Sequence, residues 1–266
     1  MKRFLSTALT VLVLMTAVFG FTATAADSKT DVYVTIANGT LALVREKVSV
    51  TDADGDGKLT VNDALILAHD AKYEGGSAAG YSSENSDWGL SLKKLWGVEN
   101  GGSYGYYVNN AMSNSLADEV KNGDYIVAFV YTDTKGFSDA YSWFDKTEAT
   151  VSGNGEVTLT LTSSGYDANW NVVKSPVAGA KITLDGKDTG LTTDNEGKVT
   201  VKAGKAGRYI VSASSESAIL VPPVAVLTVT APSPATGDSI VTVMIIIGAV
   251  ALAGALVVIV GRKRRA

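Results

Sequence analysis

Asp52-Ala53-Asp54-Gly55-Asp56-Gly57-Lys58-Leu59-Thr60-Val61-Asn62-Asp63 places carboxylates at the first, third, fifth and last positions of one short loop. Oxygen donors converging at those offsets suit a hard divalent cation, calcium before all others. Without a cation, aspartates held a few ångströms apart repel one another, so a bound ion accounts for their spacing. Gly57 permits the sharp turn that brings the later ligands round. Lys58 would coordinate through its main-chain carbonyl, Thr60 stands where the ligand is often a water, and Asp63 closes the shell one methylene short of the usual glutamate. The candidate calcium ligands are therefore Asp52, Asp54, Asp56, Lys58, Thr60 and Asp63, and the plain alternative is an acidic Asp-Gly turn.

The pattern resembles an EF-hand loop, and similar loops of dockerin modules also end in aspartate. Val61, Ala64, Leu65, Ala68 and Lys72 follow helical spacing, which predicts a helix over residues 61–73 immediately after the loop. Ahead of it, Asp31–Ala37 and Thr40–Val50 alternate as a β-hairpin around Asn38-Gly39. The loop thus joins strand to helix, which implies a structural site rather than a paired sensor. A scaffold-docking dockerin would need two calcium repeats, and the sequence has one.

Catalytic constellations are missing from the sequence. The one histidine, His69, has neither cysteine nor a nearby ligand set, and a solvent-facing helix position is its expected state. The runs Gly75–Gly80 and Gly101–Gly105 lack the Lys-Ser/Thr of a phosphate cradle. Asp145 and Glu148 form a carboxylate pair, but two small β-rich modules leave little room for a glycosidase cleft. The chain reads as a non-enzyme. Trp88, Trp96, Tyr104, Tyr106, Tyr107 and Trp143 are a candidate platform for a sugar, a planar cofactor or a peptide. The alternative is that these rings fill the core.

The two ends determine where such a module would act. Lys2 and Arg3, an apolar run from Leu5 to Phe21 and Ala23-Thr24-Ala25 read as a signal peptide over residues 1–25. At the other end, residues 240–260 are apolar and uncharged, about 31 Å long as a helix, and read as a transmembrane helix followed by a basic cytoplasmic tail, residues 261–266. Ser233-Pro234-Ala235-Thr236-Gly237 before that span resembles a Gram-positive sortase sorting signal, with Ser where Leu is commoner. The resemblance implies a sortase as processing partner, cleavage after Thr236 and attachment to cell-wall peptidoglycan. A permanent single-pass membrane anchor is the alternative.

Removing both ends takes six of the 23 Lys and Arg and one of the 27 acids, leaving 17 cations against 26 acids, or about −9. Such a surface argues against nucleic-acid partners. With no cysteine, an exported chain has no disulfide to stiffen it, and an ion is the available substitute.

Two further resemblances concern the body of the chain. Tyr106-Tyr107-Val108-Asn109-Asn110, Lys121-Asn122-Gly123-Asp124 and Thr60-Val61-Asn62-Asp63-Ala64-Leu65 look like the transcobalamin C-terminal-like family. This implies a β-grasp domain over residues 31–162, with the calcium loop, residues 52–63, inserted at a turn. Val177–Gly186, Gly190–Val201 and Gly207–Ala213 are similar to prealbumin-like or collagen-adhesin B-type stalk domains, implying a small β-sandwich over residues 172–230. Lys181 sits where such domains carry an isopeptide lysine, but the last strand offers no asparagine. The expected fold is mainly β with one or two helices (α+β). The expected function is a calcium-stabilised surface binding or adhesion protein for an unknown extracellular ligand. Alternatives are capture of a small ligand (corrinoid or heme) and dockerin-like docking; His69 and four methionines offer few axial ligands for heme.

Overall fold

The computed structural model describes residues 29–166, 169 and 171–232. The expected signal peptide, sorting motif, membrane span and basic tail lie outside the described residues. Among the described residues no helix is long and apolar enough to cross a membrane. The chain divides into two compact units: one holds the described residues up to Ile36 and Arg45–Ala128, the other Ala37–Val44 and the described residues from Phe129 onward. Among the described residues the architecture is mainly β with two helices, an α+β fold.

The first sheet runs through β1 (Thr30–Asn38), β2 (Thr40–Val50), β5 (Tyr104–Val108), β6 (Ala111–Met112) and β7 (Tyr125–Val130), in the order β2-β1-β7-β5-β6. Strand β7 is central in the sheet and buried at every residue, so both its faces are covered, and its sequence, Tyr-Ile-Val-Ala-Phe-Val, is correspondingly apolar on both. Bonds from Gly123 N–H to the Asp31 carbonyl and from Tyr33 N–H to the Asp124 carbonyl advance along both chains together, so β1 and β7 run parallel. A last strand inserted beside the first, with a helix following the opening hairpin, is a β-grasp-like order. Gly39 takes φ 65° at the hairpin tip, as the Asn-Gly pair predicts. Within β2, Arg45 adopts φ 43°; its N–H donates to Thr35 Oγ1, and its guanidinium lies 4.7 and 4.9 Å from the Tyr33 and Tyr125 ring centroids.

Helix α1 (Val61–Lys72) is followed by the short α2 (Gly76–Gly80), then the β3 (Ser82–Ser86) and β4 (Gly89–Lys94) hairpin. Thr60 and Asp63 form a capping box that starts α1. The helix buries Val61, Ala64, Leu65 and Ala68 on the face that the sequence spacing predicts.

The second unit is a sandwich. One sheet has the order β13-β12-β15-β16-β9, drawn from β9 (Glu148–Ser152), β12 (Lys181–Leu184), β13 (Lys187–Thr192), β15 (Gly207–Ser214) and β16 (Ala225–Thr230). The other centres on β10 (Glu156–Tyr166), which pairs with β8 (Ser142–Phe144), β11 (Val172–Pro176) and β14 (Lys198–Lys202). Phe144, Leu159, Leu161, Ile182, Val201, Val211 and Leu227 belong to an apolar cluster between its sheets.

This differs from the expected domain boundary at residue 162. Residues 172–230 supply only β11–β16, and the strand that organises their second sheet is β10, whose Leu159 and Leu161 point into the cluster. A sandwich needs two inward faces, so β8, β9 and β10 go with the second unit. Lys181, far from being buried in a crosslink, is exposed and paired with Glu216.

Candidate metal centre

The capping box does more than start α1. Asp63 is fully buried. Its Oδ2 accepts from Thr60 N–H (2.9 Å) and Thr60 Oγ1 (2.7 Å), while Oδ1 accepts from Ala53 N–H (2.8 Å) and Asp54 N–H (3.2 Å). The last loop carboxylate is thereby bonded to the loop's own beginning. Asp52 takes the N–H groups of Gly55 (2.8 Å) and Asp56 (3.0 Å) on Oδ1 and of Gly57 (2.9 Å) on Oδ2. Asp54 Oδ1 accepts from Asp56 N–H at 3.2 Å, and Asp54 Oδ2 from Asn62 Nδ2 at 2.7 Å. Gly57 holds φ 85°, a left-handed turn that a side chain would strain.

The consequence is that one carboxylate oxygen from each of Asp52, Asp54 and Asp63 lies within 4.8 Å of the others. Asp56 is not in this group; its Oδ1 accepts from Lys58 N–H at 2.9 Å. Thr60 is buried, with its hydroxyl engaged by Asp63. The Lys58 ammonium reaches toward Glu119 at 3.7 Å, so a contribution to a cation would come from its carbonyl. The donor set is all oxygen and anionic, as calcium requires. The three carboxylates fit such an ion with one reservation of geometry: both oxygens of Asp63 already accept two hydrogen bonds each.

Sequence spacing gave no sign of Asn62. It is 3% exposed, and besides Asp54 it engages Tyr81 Oη (2.6 Å) and Ser83 Oγ (3.0 Å), both donating to its Oδ1. Its partners lie 19 and 21 residues away along the chain, beyond any local motif.

His69 also departs from expectation. It is fully buried rather than solvent-facing: Nδ1 is 2.6 Å from the Leu65 carbonyl and Nε2 is 3.1 Å from the Trp96 amide. Nδ1 must donate and Nε2 must accept, which fixes a neutral ring. Burial lowers its pKa, opposed by the Leu65 bond and by Asp70. Tyr73, Tyr81 and Trp96 surround the ring at centroid distances of 6.0, 5.1 and 5.1 Å.

The six aromatic residues of the expected platform do not share one environment. Trp96 packs edge-on against Tyr73, Tyr107 is buried, and Tyr104 Oη donates to the Lys93 and Val98 carbonyls. Tyr106 is half-buried, and burial raises its pKa. Trp143 belongs to the second unit, where it stacks on Tyr141 at 5.5 Å with the Lys174 ammonium 5.4 Å from its ring centroid. Trp88 alone of the six is open to solvent, at 87% exposure.

No family model matches the chain, and no curated protein does. Among solved structures, the N-terminal four Ig domains of Dscam1 isoform 6.9 align at 11% identity and a TM-score of 0.22. The alignment covers 57% of this chain and 36% of that one.

Proposed function

We propose that the protein is a non-catalytic extracellular binding or adhesion module, stiffened by calcium and attached to the cell wall or membrane through its C-terminal signal. The observation that carries the calcium part is the gathering of Asp52, Asp54 and Asp63 at the junction of β2 and α1. An ion there would neutralise three carboxylates and tie the two ends of the loop together. Asp56, the Lys58 carbonyl and a water at Thr60 would complete its shell. Tb3+ luminescence and calorimetric titration test this: calcium should bind one site, and Asp54→Ala should remove it. Absence of any binding by the unaltered chain in both measurements would sink the reading.

Surface attachment is supported by the sequence of the two ends. Mass spectrometry of protein released from cell walls should find a C-terminus at Thr236 if a sortase acts. Intact tail confined to the membrane fraction would instead mean a permanent anchor. The exposed Trp88 is the residue best placed to meet a ligand in the first unit.

A further inference from the structure

We propose that Asn62 is a positioning residue for the cation site and that, through it, calcium occupancy sets the order of the β3–β4 hairpin carrying Trp88. This rests on the calcium reading above. A carboxylate only accepts hydrogen bonds, so the Asn62 amide must turn its NH2 to Asp54 and its oxygen to the two hydroxyls. That orientation makes one buried side chain the link between a ligand carboxylate (Nδ2 to Asp54 Oδ2, 2.7 Å) and the beginning of the hairpin (Tyr81 Oη and Ser83 Oγ). Tyr81 is itself buried, and burial raises the pKa of its hydroxyl, keeping it a donor.

The link is reinforced on the far side. Asn62 N–H donates to the Leu116 carbonyl (2.9 Å) and Val61 N–H to the Asp118 carbonyl (3.0 Å), while Val120 N–H donates to the Leu59 carbonyl (2.9 Å). The same segment holds β4: Leu116 N–H donates to the Leu90 carbonyl (2.9 Å), and Leu90 N–H to Ser115 Oγ (3.1 Å). Both strands of the hairpin are therefore tied to the residues that leave the loop, one through Asn62 and one through 115–116. Among the described strands β3 and β4 pair only with each other, and β4 is held besides by the Lys93 carbonyl accepting from Tyr104 Oη and by the burial of Leu92. A two-stranded ribbon is marginal on its own, so loosening its base should loosen the turn at Trp88.

An empty site leaves Asp54 free to swing away from its two like-charged neighbours, at the expense of the Asn62 bond. A bound cation holds Asp54, hence Asn62, hence Tyr81 and Ser83. Partners that orient metal ligands typically contribute about 10–100-fold in affinity.

The test uses the full chain in mild detergent, with calcium affinity from calorimetry and hydrogen exchange read over residues 82–94. In the unaltered chain calcium should bind and slow exchange there. Asn62→Ala should weaken calcium binding about 10–100-fold and, even at saturating calcium, leave residues 82–94 unprotected. The double variant Tyr81→Phe, Ser83→Ala keeps Asn62 and its bond to Asp54, and should lose the calcium-dependent protection with a smaller change in affinity. It serves where Asn62→Ala does not fold. A residue that merely stabilises the fold would raise exchange equally with and without calcium. Unchanged affinity and unchanged calcium-dependent protection in both variants would overturn the proposal while leaving the calcium site standing. Failure of the unaltered chain to bind calcium would overturn both.

Discussion

The two units solve one problem, rigidity without cysteine, by different chemistry. In the first, the turn from strand to helix is held by carboxylates, an amide and hydroxyls, with Asp63, Asn62 and Thr60 all buried. In the second, β10 and its neighbours are held by an apolar cluster that includes Phe144, Leu159, Leu161 and Leu227. Apolar burial is insensitive to ions and to mild changes in pH, whereas a buried polar network depends on every partner being in place. The first unit should therefore respond to solution conditions and the second should not.

Leu161→Ala would break the comparison from the apolar side. Truncating a fully buried leucine costs about 2–5 kcal/mol, and exchange protection should fall across β8–β16 while residues 29–36 and 45–128 keep theirs. Asp63→Ala is the counterpart. It strips acceptors from the Thr60, Ala53 and Asp54 N–H groups together, a loss of about 2–4 kcal/mol confined to the first unit. Equal effects on both units from either substitution would mean that they unfold as one.

Calcium removal sharpens the contrast. A ligand present at about 100 times its Kd stabilises by about 2.7 kcal/mol, so EGTA should lower the melting temperature of the first unit alone. Asp54→Ala should abolish that difference. The smallest effect is that of pH. Burial holds His69 below its ordinary value of 6.5, so the unfolded chain takes up a proton before the folded one does. The associated stability is complete above about 6.5 and is lost as pH falls through the lowered folded value. Differential exchange between pH 7.5 and 5.5 should show extra opening around α1 and Trp96, and His69→Gln should flatten that response. A pH response centred on the second unit would contradict the assignment to His69.

What the sequence revealed and what it hid follow a physical division. The aspartate offsets, Gly57 and the 3.6-residue spacing of Ala64, Leu65 and Ala68 are local, and they give the loop and α1 directly. The buried order of β7 is legible for the same reason, as an unbroken apolar run. Asn62 is invisible in the sequence because its hydroxyl partners, Tyr81 and Ser83, lie 19 and 21 residues further along the chain. A solvent-facing His69 is expected because the sequence sets no ligand group near it, whereas the folded ring finds its two partners in the Leu65 carbonyl and the distant Trp96 amide. Strand alternation in residues 156–161 announces a strand but names no partner, so β10 was placed with the wrong unit. The aromatic residues were likewise grouped by proximity in sequence, although Trp96, Tyr107 and Trp143 each serve their own packing.

The pairing of β16 has a mechanical corollary. It runs antiparallel to β15 over five residue pairs and parallel to β9 over five more, Val226 opposite Glu148 through Thr230 opposite Ser152. A load directed along β16 would shear both ladders at once instead of unzipping them rung by rung, so the sandwich resists most strongly a pull along this strand.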